Sequence, residues 1–93
     1  MGRASRLKPE RLASKLLDIR TKLDLSQNGI IKQMGLEQEL VREEISAFER
    51  GVRVPPLPVL LKYARVAGVC LDVLVDDEIN LPRKLPSKPG HRK

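Results

Sequence analysis

A chain of 93 residues holds one small domain, since two independent cores do not fit this length. One Phe, one Tyr and no Trp argue against stacking of single-stranded bases on aromatic side chains. One Cys (Cys70) and one His leave too little for an internal disulfide, a cysteine-based zinc site or acid–base and nucleophilic chemistry, so an enzyme is not expected.

The net charge of +6 sits in the ends. Residues 1–11 carry +3 and residues 82–93 carry +5, which leaves −2 for residues 12–81. Basic ends of this kind suit a polyanionic partner, although a solvated tail has the same composition. The N-terminal stretch MGRASRLKPER lacks the apolar region of a signal peptide. No run approaches the roughly 18–20 apolar residues that a membrane span needs. A soluble cytoplasmic protein is the expectation.

After a basic N-terminal arm over residues 1–8, Pro9 and the apolar positions Leu12, Ala13, Leu16, Ile19 and Leu23 predict a helix over about 9–23. Ser26 is a suitable N-cap for a second helix, with Ile30, Ile31 and Met34 inward and Gly35 as its stop. Gly29 within so short a helix points to a packing constraint. Leu36, Leu40, Val41, Ile45 and Phe48 keep helical phase up to Gly51, which predicts a third helix. Val54-Pro55-Pro56 forces extended backbone ahead of a fourth helix over about Leu57–Ala67, with Leu57, Leu60, Leu61, Ala64 and Val66 inward. A fifth short helix is expected over about 71–78. The domain is thus placed at residues 9–81, and the Pro-rich basic stretch 82–93 is expected to be a disordered tail. Asp76-Asp77-Glu78 could suggest a metal site, but no further ligands lie nearby in sequence. It is therefore read as the solvated end of the fifth helix, and no metal or cofactor is expected.

The fragments LLDIRTKLDLSQ, IIKQMGL and ISAFERGVRVPPLPVLLKYARVAGVCLDVL, in this order, resemble the Cro and phage-repressor family of XRE-type helix-turn-helix proteins over about residues 12–75. The resemblance implies an all-α, five-helix, lambda-repressor-like helix-turn-helix domain carrying basic N- and C-terminal arms. It implies sequence-specific binding of double-stranded DNA by a transcriptional repressor, as a homodimer on pseudo-palindromic sites. It further implies phosphate contacts from Gln27, Lys32, Arg50 and Arg53, and a bracing ion pair between Arg20 and Glu49. The base-reading positions fall on Val41, Arg42, Glu43, Glu44, Ser46 and Ala47, with Arg42, Glu43, Glu44 and Ser46 as the candidate base contacts. Arg42 is foremost, because its fork matches guanine O6 and N7. Pairing of Glu43 or Glu44 with Arg42 or another neighbour along the helix is the alternative. Leu71, Leu74, Val75 and Ile79 are candidate dimer contacts, with packing inside the domain as the alternative.

Two features depart from the family pattern. Ile31 stands where a small residue is usual, and Gly29 is a candidate source of compensating space. Nine residues separate Gly35 from Ile45 where five are usual, so about four are extra. Four residues are close to one helical turn of about 3.6, and their phase favours a third helix lengthened at its N-terminus. A longer turn is the alternative, since no Ser, Thr, Asp or Asn N-cap follows Gly35. The acidic run Glu37, Glu39, Glu43 and Glu44 also leaves room for another class of function, an antitoxin or adaptor that binds a basic protein partner through the same fold.

Overall fold

The structure, a computed structural model, describes residues 8–86. The arm residues 1–7, including Arg3 and Arg6, lie outside the described residues, as does the tail from residue 87, with Lys88, Arg92 and Lys93. Among the described residues five helices follow one another: α1 (Leu12–Lys22), α2 (Gln27–Met34), α3 (Arg42–Glu49), α4 (Leu57–Ala67) and α5 (Leu71–Val75). No strand occurs among the described residues. α1 packs against α3 and α5, α2 against α3 and α4, and α4 against α5. One core results, built on Leu16, Ile19, Ile30, Ile45, Phe48, Tyr63 and Leu74, each almost wholly buried.

α1 begins at Leu12 rather than Pro9, and its first turn has no local side-chain cap. Asp77 acts from the far end of the chain. Its carboxylate accepts the backbone N–H groups of Glu10 (2.9 Å) and Arg11 (3.0 Å). Those two bonds lower the Asp77 pKa from its ordinary value. Arg11 returns the contact by donating to the carbonyl of Asp77 and, at 2.6 Å, to the Asn80 side chain.

α5 is five residues long and stops at Asp76, short of the expected 78. The cause is Lys15, only 3% exposed on the apolar face of α1. Its Nζ donates to the carbonyls of Val73 (2.8 Å), Asp76 (2.9 Å) and Ile79 (2.7 Å). The chain bends round the ammonium instead of continuing as helix. Burial, aided by Arg11, lowers the Lys15 pKa against the opposing pull of Asp77 and Asp76. Asp76-Asp77-Glu78 is therefore a structural corner, with Asp77 clamped to α1, and not a freely solvated helix end.

α4 has the expected limits but another phase. Val59, Leu60, Tyr63, Ala64 and Ala67 are buried, whereas Leu57 and Leu61 face solvent and Val66 is half-buried. Apolar residues surround this helix almost completely, so periodicity alone does not choose between neighbouring stripes. The first residues of the expected tail also differ from expectation. Leu85 is 7% exposed and joins the core, and the Arg83 carbonyl accepts from Lys22 Nζ at 2.9 Å. Residues 82–86 belong to the packed domain.

The α2–α3 connection spans residues 35–41. α2 ends as expected at Gly35, left-handed at φ 73°, and the Leu36 amide returns to the Ile31 carbonyl (3.1 Å). Leu36 then starts one isolated helical turn, its carbonyl accepting from the amides of Glu39 (3.0 Å) and Leu40 (2.9 Å). Val41 breaks the turn with extended backbone (φ −118°, ψ 164°), and α3 starts at Arg42. Residues 36–40 thus form a turn of their own, and α3 does not extend back to Leu36 as expected. Ile31 is buried and lines one cleft with Leu40. Gly29 does not supply that room. A Cβ there would lie 3.1 Å from Ser26 Oγ and 3.4 Å from Leu25. The glycine instead lets the Ser26 hydroxyl accept the Gly29 amide at 2.9 Å as the N-cap of α2.

Candidate nucleic-acid interface

The second and third helices are locked by one cluster. Arg20 Nε and Nη2 donate to Glu49 Oε2 (2.6 Å) and Oε1 (3.0 Å), while Arg20 Nη1 donates to the Leu25 carbonyl at 3.0 Å. The Glu49 side chain is 6% exposed. Hydrogen bonding to Glu49 raises the Arg20 pKa, against the opposing effect of burial. Gln27 Nε2 adds a third donor to Glu49, at 3.3 Å to Oε1. The end of α1, the start of α2 and the end of α3 are thereby held on a single carboxylate. The amide nitrogen of Gln27 carries a second N–H, which leaves it able to reach an outside acceptor.

α3 buries Ile45, Ala47 and Phe48 and turns its first residues outward. The side chains of Arg42 and Glu43 are 64% and 76% exposed, and they approach each other only to 3.8 Å. Glu44 stands apart. Its Oε1 accepts the Val41 amide at 3.0 Å, and its Oε2 accepts from Arg53 Nη1 at 3.4 Å. Ser46 Oγ accepts from Arg50 Nε at 3.1 Å. The α3 C-terminus closes on Gly51, left-handed at φ 76°, with the Val52 amide returning to the Ala47 carbonyl at 2.9 Å.

Lys8 Nζ donates to the Gly51 carbonyl at 3.3 Å. A groove of about 510 Å³ runs here between the start of the chain and the α3–α4 loop, with Lys8, Arg50 and Arg53 along it. Lys32 shares the cleft beside the turn over residues 36–40 with Arg42 and Glu43. Arg42, Glu43, Lys32, Arg50 and Arg53 thus cluster around α3, with Gln27 at the start of α2. The α5 residues do not join them. Leu74 is fully buried and is core, not a dimer contact, and Leu71, Val75 and Ile79 are half-buried. Leu71 and Val75 pack against the core. Among the described residues, the large apolar side chains that face solvent are Leu17, Val41, Val52, Val54, Leu57 and Leu61.

Sequence reasoning missed Lys15 and Asp77 as structural residues. Lys15 had a visible signal, a charge at a position three after Leu12 and four before Ile19 on the buried face. Asp77 had none, because its partners lie 66 and 67 positions away.

Among the described residues, five helices with α2, its following turn and α3 braced by Arg20 and Glu49 define a helix-turn-helix fold. No family model matches the chain. In sequence it is similar to the cryptic phage CTXphi transcriptional repressor RstR of Vibrio cholerae, 34% identical over 77 residues, or 82% of this chain. The chain spans 66% of that repressor's length. Among solved structures, a chain of the SinR protein/SinI protein complex shares the fold, with a TM-score of 0.62 and 19% identity. That likeness covers 72% of this chain and 62% of the other.

Proposed function

We propose that this protein is a transcriptional repressor that binds specific double-stranded DNA sites as a homodimer. The observation that carries the proposal is the mounting of α3. Its inner face is buried, its frame is tied to α1 and α2 through Glu49, and Arg42 and Glu43 project from its free N-terminal end. A rigid helix with exposed polar side chains at its N-terminus suits base edges in the major groove. The similarity to a phage repressor favours the same reading.

Phosphate contacts in this proposal come from Gln27, with the N-terminus of α2 behind it, and from Lys32 and Arg50. Arg42 and Glu43 reach base edges, Arg42 suited to guanine and Glu43 to the cytosine amino group. Lys8, bonded to the Gly51 carbonyl, lies next to this surface, and in this proposal the basic N-terminal residues supply further contacts to backbone or a minor groove. Glu37 and Glu39 belong to the turn over residues 36–40 rather than to α3. Their exchange to Gln is therefore expected to spare or strengthen DNA binding.

Selection of sites from random duplex DNA tests the proposal. The expected result is an enriched motif with two related half-sites about one DNA turn apart. Failure of any sequence to enrich at low salt would sink it.

A further inference from the structure

Glu43 and Glu44 are neighbours at the start of the reading helix, yet the structure gives them different tasks. Both oxygens of Glu44 are occupied. Oε1 holds the Val41 amide at 3.0 Å and Oε2 meets Arg53 at 3.4 Å. The side chain is 29% exposed, against 76% for Glu43. Val41, the N-cap, has no side-chain acceptor of its own, so α3 relies on Glu44 at its third position to tie down its entry. The carboxylate also lies in the first turn, where the helix dipole favours it. Arg53 is held from a second side, with its guanidinium carbon 5.7 Å from the centre of the Phe48 ring.

We infer that Glu44 is a positioning residue that sets the N-terminus of α3, latched by Arg53, and that acid-side base discrimination falls on Glu43 beside Arg42. This rests on the DNA-binding reading above and refines it. A Glu44 turned outward to a base would release both the Val41 amide and Arg53. A Glu44 kept in place has its charge met by Arg53, which removes much of the repulsion that an acidic reading helix would suffer near phosphate.

Site selection with wild type, E44Q and E43Q decides the matter, since Gln at 44 keeps an oxygen for the Val41 amide but loses the charge that holds Arg53. E44Q is expected to enrich the wild-type motif. Its plot of log K against log salt is expected to be steeper by about 0.9, because the freed Arg53 gains one phosphate. E43Q is expected to change the preferred base pair at one position of each half-site. Melting supplies a second readout, with E44A less stable than wild type and E44Q close to it. A changed base preference in E44Q, or an unchanged salt slope, would overturn the inference. Absence of any motif for wild type would instead defeat the underlying reading.

Discussion

Lys15 shows how much of this small fold hangs on single polar side chains. A buried ammonium with three carbonyl partners joins α1 to the corner after α5, where the Asp76 carbonyl also accepts the Ile79 amide at 3.1 Å. K15M keeps the aliphatic stem but takes the ammonium away from all three carbonyls, of which that of Asp76 keeps the Ile79 amide. It is expected to cost about 2–4 kcal/mol, read as a drop in denaturation midpoint. A cost near zero would show that the carbonyls find other donors. Asp77 makes the complementary bond from the corner to α1. Its folded-state pKa lies below the ordinary 3.8, so the unfolded chain takes up the proton first as pH falls. The stabilisation is thus present above about pH 4 and lost as pH drops through the folded pKa. D77N is expected to be less stable at pH 7 and to show a shallower loss of stability below pH 4 than wild type. Parallel pH profiles of melting temperature for the two proteins would contradict this.

At the scale of elements, α2 and α4 were legible in the sequence because Ser26, Gly35, Pro56 and Gly68 punctuate them directly. The limits of α3 were not. Leu36, Leu40 and Val41 keep phase with Ile45 whether the chain is one long helix or a single turn followed by a break, since an interruption of about one turn preserves the face. The break lies in the extended backbone of Val41, and its only local sign is Glu44 at the third position of α3. The bracing pair Arg20–Glu49 could be anticipated from a family resemblance. The separate use of Glu43 and Glu44 could not, because the partner of Glu44, Arg53, lies beyond the helix. A sharp consequence concerns Val41 itself. V41S supplies the missing N-cap oxygen and is expected to add about 0.5–1.5 kcal/mol, or several degrees in melting temperature for a domain of this size. Were residues 36–49 one continuous helix, the same exchange would be neutral or destabilising.

Charge organises the molecule as a whole. The stretch 12–81 is net negative while both ends are strongly positive, so in the proposed function long-range attraction to DNA falls to the ends and discrimination to α3. Removal of residues 1–7 together with those after Pro86 keeps the buried Leu85. It is expected to flatten the salt dependence of DNA binding while leaving the selected site unchanged. An unchanged slope would mean that the ends do not touch DNA. The turn over residues 36–40 holds two exposed acids, Glu37 and Glu39, beside α3 without placing them on it, which is compatible with the proposed DNA-facing role of α3.

In the proposed function this domain prefers a particular double-stranded sequence. This preference is tested most directly by titrating the wild-type protein, at one fixed near-physiological salt, against its selected duplex and a scrambled duplex of equal length. Tighter binding to the selected site by about a thousandfold or more is expected. Equal affinity for the two duplexes would contradict it.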